Sequence, residues 1–364
     1  MGLLTFLPSC ATFLSNISNK ERRAEVVSFE EFDFENGGVS VDIGTGEVLL
    51  DVSSSGKVRK WERKKAMNLQ IAKLYRKILD ETGELLTEKR YKSLVECGDS
   101  LLFGYKDEQK KLVRANFCRL RLCPMCNWRK SLKMFSQVSR ISEELLREKP
   151  STRFLFLTLT VRNVSSERLA GTIDAMNKAF KFLFNGGLTF ALADVVKKNL
   201  LGYLRAMEVT YNSGTKEYHP HLHVLVAVKP AYFSREYISQ ERWRNMWKTA
   251  MKLDYEPMVN VKAVKNVSPK VIAEVAKYPT KVEKVSELKD EEQAAEALTV
   301  LHKSLKGRRL VTFGGCFREI QRRLKLDDLE NGDLVHVETD LQADLNFVGY
   351  ALYRYHAEVG AYIC

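Results

Sequence analysis

An α+β fold is what the sequence predicts: a central antiparallel β-sheet with flanking helices, joined to a helical, cysteine-rich module. Two observations carry the sheet. "RFLFLTLTVRNV" (153–164) is a β-branched and aromatic run, the pattern of a buried strand. "LGYLRAMEVTYN" and "YHPHLHVLVAVK" are further strand-like runs joined by the turn-rich "SGTKE", and so predict an antiparallel hairpin. The third observation is that segments of helical spacing alternate with these runs. Because the hairpin rules out a purely parallel sheet, the helices are expected on one face of an antiparallel one.

Four regions follow in order. Residues 1–56 are acidic, with Gly and Ser clusters at "NGGVS", "GTGE" and "SSSG", and read as a weakly folded arm. Residues 57–150 form a basic helical region. It opens with "KVRKWERKKAMNLQIAKLYRKIL", an amphipathic pattern with a cationic face, and closes with "NWRKSLKMFSQVSRISEELLREK". Residues 151–300 hold the sheet. Here 165–199 read as helical, "SREYISQERWRNMWKTAMKL" as a helix and "PMVNVKAVK" as a strand. "SPKVIAEVAKY" reads as a short helix with Ser268 as N-cap and Pro269 at its first position. The Lys- and Glu-rich 281–296 stretch reads as an exposed helix or linker. Residues 301–364 form a basic and aromatic extension, with "LKGRRLVTFGGCFREIQRRL" hinged at its glycines and "GYALYRYHAEVGAY" suited to core packing.

The 364 residues carry a formal net charge of +12, unevenly spread. Residues 1–56 hold three basic and nine acidic side chains, so the remainder carries +18. A basic body points to an acidic partner, most often nucleic acid. The opening "MGLLTFLPSCATFLSN" is apolar but lacks a basic leader and is too short to span a bilayer. The reading is therefore cytoplasmic, without a membrane partner. In a reducing compartment, clustered cysteines suggest metal rather than disulfides.

Three of the six histidines fall within five residues: His219, His221 and His223. On a strand His221 and His223 share a face, while Leu222, Val224, Val226 and Val228 share the other. Two imidazoles at i and i+2 are half of a divalent metal site, the alternative being two hydrogen-bonded sheet histidines. Glu208, on the partner strand of the hairpin, is the candidate third ligand. Imidazoles with a carboxylate suit Mg²⁺ or Mn²⁺. His219 precedes Pro220 and is expected to line the site without ligating.

Cys118, Cys123 and Cys126 read C-x4-C-x2-C, and "CPMC" has the form of a zinc turn. No histidine lies between residues 1 and 218, so Cys97 is the candidate fourth ligand of a structural Zn²⁺ site. The surrounding Arg119, Arg121, Arg129, Lys130 and Lys133 are expected to face phosphate, against the alternative of a solvated surface. Cys10, Cys316 and Cys364 have no spacing partner.

"HPHLH" resembles the His-hydrophobe-His motif of the HUH endonucleases, in a context similar to the rolling-circle replication initiators of small plasmids. "FLFLTLTVRN" resembles the first family motif. "LRAMEVTYNSGTKEYHPHLHVLV" resembles the second, including its upstream acid. "EVAKYPTK" resembles the third, and "CRLRLCPMCNWRKSLK" the cysteine-rich segment of that branch. The match spans roughly residues 95–320, in the expected order. The resemblance implies a ferredoxin-like palm and a tyrosine nucleophile, Tyr278, that nicks one strand at the origin and forms a 5′-phosphotyrosine. The free 3′-OH then primes a polymerase. Glu274, one helical turn before Tyr278, is implied as the base that activates water for the closing cleavage. Lys281 would steady the phenolate or phosphate, and Lys277 is a weaker candidate for contact with DNA. The implied partners are single-stranded or cruciform origin DNA, a host helicase and a DNA polymerase. Two alternatives are a relaxase or transposase with the same site, and a zinc-containing DNA-binding regulator without catalysis.

Overall fold

The computed structural model describes residues 41–42, 46–53, 56–106, 109–184, 196, 198–234, 236–264, 271–273, 282–337 and 347–364. In chain order its elements are β1 (Val41–Asp42), α1 (Trp61–Thr82), α2 (Glu88–Val95), β2 (Ser100–Lys106), β3 (Gln109–Ala115), α3 (Pro124–Glu148), β4 (Arg153–Thr160) and α4 (Ser166–Phe184). They continue with β5 (Leu200–Asn212), β6 (Glu217–Val228), α5 (Gln240–Met251), β7 (Val259–Val264), α6 (Val282–Ser286), α7 (Glu291–Leu305), β8 (Val311–Gly315), α8 (Cys316–Arg323), β9 (Gly349–His356) and β10 (Ala361–Ile363). Among the described residues, no helix is long and apolar enough to cross a membrane.

Two compact units divide the chain. The first holds residues 1–66, 98–116 and 344–364. Its sheet runs β1-β9-β2-β3, with β10 on β9. The β2–β3 hairpin is local, but β9 pairs with β2 from some 250 residues away in sequence. Residues 46–53, read from sequence as part of the acidic arm, take part in this unit. Gly46 N–H donates to Cys364 O (2.9 Å), and Asp51 accepts from Trp61 Nε1 and Arg59 Nη1, both at 2.7 Å. Trp61 stands edge-on to Phe103, which stands edge-on to Tyr353, so the C-terminal aromatics pack as core.

The second unit holds residues 67–97 and 117–343 around a five-stranded antiparallel sheet, β7-β4-β6-β5-β8. The predicted hairpin is its centre: Glu208 pairs with His221 and Ala206 with His223, while β4 places Thr160 opposite His221 and Thr158 opposite His223. Helices cover both faces, which corrects the expectation of one covered face. Leu222, Val224 and Val226 face α4 and α5, where Phe184 stacks on Trp243 and Phe180 meets Tyr203. On the histidine face, Phe154, Leu204, Leu225 and Ala227 pack under Met134, Val138 and Ile141 of α3 and Phe317 of α8. The reason lies in β6, which is apolar on both faces from Leu225 onward, so both faces need a cover. The histidine face is thus apolar at one end and polar at the other, where Thr158, Thr160, His221 and His223 stand.

The glycines of "FGGC" serve packing rather than a hinge. A Cβ on Gly314 would fall 2.3 Å from the Tyr203 ring, and Gly315, at φ +55°, would place one 2.4 Å from Leu201 O. Only glycine lets β8 approach β5 and turn at once into α8.

Candidate active site

β5 and β6 are rigid central strands, so their alternation aims three side chains at one point. Glu208 Oε2 lies 3.2 Å from His221 Nε2 and 3.0 Å from His223 Nε2. One ligand atom from each residue falls within 4.8 Å of the other two. All three side chains are largely buried. His221 Nδ1 lies 3.2 Å from His219 O, a contact that orients the ring with Nε2 toward Glu208. His223 Nδ1 lies 3.5 Å from Thr158 Oγ1, and the His223 ring stacks on Phe156. Three electron-rich atoms converging in a dry site repel one another unless a cation or proton sits among them, and this donor set can hold a metal ion.

His219 stands beside the triad. Its Nδ1 meets Asn163 Oδ1 at 2.9 Å, and its ring is 5.3 Å from that of His221. Burial, then the neighbouring His221, holds it below the usual histidine range. Thr158 and Asn163 were not singled out from the sequence. The alternation of "LTLT" already puts Thr158 and Thr160 on one face, but nothing local told which face it was.

Cys97, Cys118, Cys123 and Cys126 form a second buried cluster. Cys97 Sγ is 3.5 Å from Cys123 Sγ and 3.6 Å from Cys126 Sγ. Backbone N–H groups point at the sulfurs: Cys118 N to Cys97 (3.3 Å) and Arg119 N to Cys126 (3.2 Å), with Asn68 Nδ2 adding a donor to Cys123 (3.4 Å). Such donors favour thiolates. Crowding opposes them: hydrogen bonds from Cys118, Cys123 and Cys126, with burial, hold the Cys97 thiol well above its usual range. A cation shared by four sulfurs resolves that conflict, and the cage can hold a metal. The cage closes where segment 98–116 leaves and rejoins the second unit.

The basic residues near the cage do not all face outward. Arg129, Lys130 and Lys133 are buried; Arg129 and Lys133 are turned onto protein acceptors, which corrects the expectation of a phosphate-facing surface for those two, while Lys130 lines a cavity. Arg129 donates to Leu334 O (2.8 Å) and Val335 O (2.7 Å). Lys133 Nζ reaches Asp327 Oδ2 (2.6 Å), Asp328 O (2.9 Å) and Asp333 O (3.0 Å). The acidic stretch "DDLENGD" thus takes up the charge of Lys133, and the two carbonyls that follow it take up the Arg129 N–H groups. Arg119 and Arg121 are more exposed, though tied to Asn331 O and Glu330. Lys133→Met is expected to cost about 2 kcal/mol, because several acceptors lose a buried donor. Urea unfolding would read this as a lower midpoint at unchanged slope.

Glu274, Lys277, Tyr278 and Lys281 lie outside the described residues. The chain on either side is anchored: Ile272 belongs to the core under the histidine face, and Val282 and Val285 are buried.

Residues 109–363 match the model of a family described as "Replication protein" (Rep_1). The "Protein rep" of Streptococcus pneumoniae serotype 2 is 40% identical over 301 residues, covering 81% of this chain and 88% of that one. That of Lactiplantibacillus plantarum is 40% identical over 301 residues (80% and 90%), and that of Bacillus amyloliquefaciens is 36% identical over 336 residues (87% and 97%). No solved structure matches the chain.

Proposed function

The chain belongs to the Rep_1 family of plasmid replication proteins, the rolling-circle initiators, and from that premise we propose that it nicks one strand of its origin through Tyr278. The observation that carries this reading is the convergence of Glu208, His221 and His223 at the polar end of a rigid sheet.

Glu208, His221 and His223 would hold Mg²⁺ or Mn²⁺, which supplies charge to offset the scissile phosphate and polarise its oxygens. The Tyr278 hydroxyl attacks the phosphorus and loses its proton, while the 3′-oxygen leaves and gains one. The products are a 5′-phosphotyrosine and a 3′-OH primer. A phenol near pKa 10 is a weak nucleophile at neutral pH, so the phenolate needs cationic neighbours, and Lys281 is assigned that role. Glu274 then accepts a proton from water in the closing cleavage. One carboxylate in place of a second tyrosine makes each molecule serve a single round. The four cysteines would hold a structural Zn²⁺, tying Cys97 and Cys118 to the start of α3. Origin DNA, single-stranded or cruciform, is the substrate; a helicase and a polymerase of the host complete the process.

The test is incubation with single-stranded origin DNA and Mn²⁺, followed by a denaturing gel. A covalent protein–DNA adduct is expected. Its absence with every strand of the replicon would favour a non-catalytic regulator. Glu274→Ala is expected to leave adduct formation within about 3-fold of wild type while lowering release of closed circles on the order of 100-fold, the usual weight of a general base. Equal loss of both steps would remove Glu274 from the closing step.

A further inference from the structure

A cavity of about 170 Å³ is lined by Arg119, Arg121, Lys130, Glu330 and Asn331. Three of its five residues are cationic. Its one carboxylate is already committed: Glu330 Oε1 accepts from Leu310 N (2.6 Å) and Val311 N (2.9 Å), and Oε2 accepts from Arg121 Nη2 (3.2 Å). Arg121 is not fully engaged. Its Nη1 is shielded from solvent and has no hydrogen-bond partner among the described residues. A buried guanidinium N–H without an acceptor is costly, and its planar fork suits an oxyanion. Arg119 adds a backbone at φ +58°, held there by its N–H on Cys126 Sγ, so the metal cage itself presents this wall of the cavity.

Size and place narrow the ligand. The volume admits roughly five or six water-sized groups, enough for one phosphate and too little for a nucleotide. The bonds from Leu310 and Val311 fix Glu330 at the start of β8, the edge strand of the catalytic sheet. Val311 pairs with Ala206, and Ala206 with His223. Two strand spacings, roughly 10 Å, therefore separate the histidine strand from β8. A DNA strand covers that distance in about three nucleotides at a rise of about 3.4 Å each.

We propose that this cavity seats one backbone phosphate of the DNA strand, a few nucleotides from the phosphate held at Glu208, His221 and His223. The placement rests on the nicking reading; the seat itself does not. It fixes where along the strand the reactive phosphate falls, through charge and shape rather than base identity.

Full-length protein without divalent cation, titrated with (dT)20 across a salt series, tests the seat without any chemistry. Arg121→Gln is expected to flatten the slope of log K against log salt by about 0.7, one phosphate contact on a single strand, and Arg121→Lys to restore most of it. Inorganic phosphate, followed by ³¹P NMR, is expected to bind wild type and not Arg121→Gln. Metal content and melting temperature equal to wild type establish that the variant is folded; Arg119→Gln, outside the Glu330 pair, is the second variant if it is not. Equal slopes for wild type and variant overturn the proposal. Phosphate binding with equal slopes also overturns it, and assigns the cavity to a free anion. A preserved slope difference with no covalent adduct on origin DNA would instead remove the nicking reading and leave the seat standing.

Discussion

Tyr278→Phe is expected to abolish the covalent protein–DNA adduct. Phenylalanine keeps the ring and loses only the oxygen that would form the bond to phosphorus. Loss of a covalent nucleophile costs on the order of 10⁶ in rate, so no adduct should be visible on a denaturing gel after hours of incubation. Binding of the same oligonucleotide without divalent cation should stay within about 2-fold, since one hydroxyl is absent from the free site. The control is Tyr255→Phe. The Tyr255 hydroxyl accepts from Arg162 N at 2.9 Å, two residues beyond Thr160, and this tyrosine stands near the end of β4 with no role in the proposed chemistry. Adduct lost from Tyr255→Phe and kept by Tyr278→Phe would move the nucleophile and sink the assignment.

Cys126→Ser should unfold a large part of the second unit. Cys126 is fully buried, its sulfur lies 3.6 Å from Cys97 Sγ and 3.8 Å from Cys118 Sγ, and it takes the Arg119 N–H. Serine is a poor ligand for a soft site. An intact structural zinc site contributes about 10–16 kcal/mol of apparent binding energy, so loss of even a third of it lowers the melting temperature by roughly 10 °C or more. The purified variant should contain no stoichiometric zinc, whereas Cys316→Ser, a buried cysteine outside the cage, should retain it. Wild-type protein free of zinc, or a Cys126→Ser variant with unchanged melting, would contradict the cage.

The elements legible in the sequence were those written in local alternation. The β5–β6 hairpin, the shared face of His221 and His223, and the nearness of Glu208 all follow from a period of two and one short turn. Cys97 was reached by elimination, and the structure brings it to the other three sulfurs. What stayed hidden was nonlocal. The pairing of β2 with β9 joins segments some 250 residues apart, and nothing in either strand names its partner. The charges of Arg129 and Lys133 were misread for the same reason. Lys133 meets Asp327 of "DDLENGD", and Arg129 meets the carbonyls of Leu334 and Val335 just after it, about 200 residues on, so a local count of bases points to a surface where the fold makes an interior.

The position of the cysteine cage bears on how such a chain tolerates change. Cys97 and Cys118 stand at the two ends of segment 98–116, and Cys118 N–H meets Cys97 Sγ at 3.3 Å. Metal bound there would be a cross-link at the neck of an insertion. A link across a loop of this length removes about 3 kcal/mol of closure entropy from the unfolded chain. With the neck clamped, only the turn between β2 and β3 is left to vary in length, since β2 itself is held by its pairing with β9. A cation held there would thus act as a staple at the base of the hairpin, so that a change in the length of its turn leaves the ends of the segment where they are.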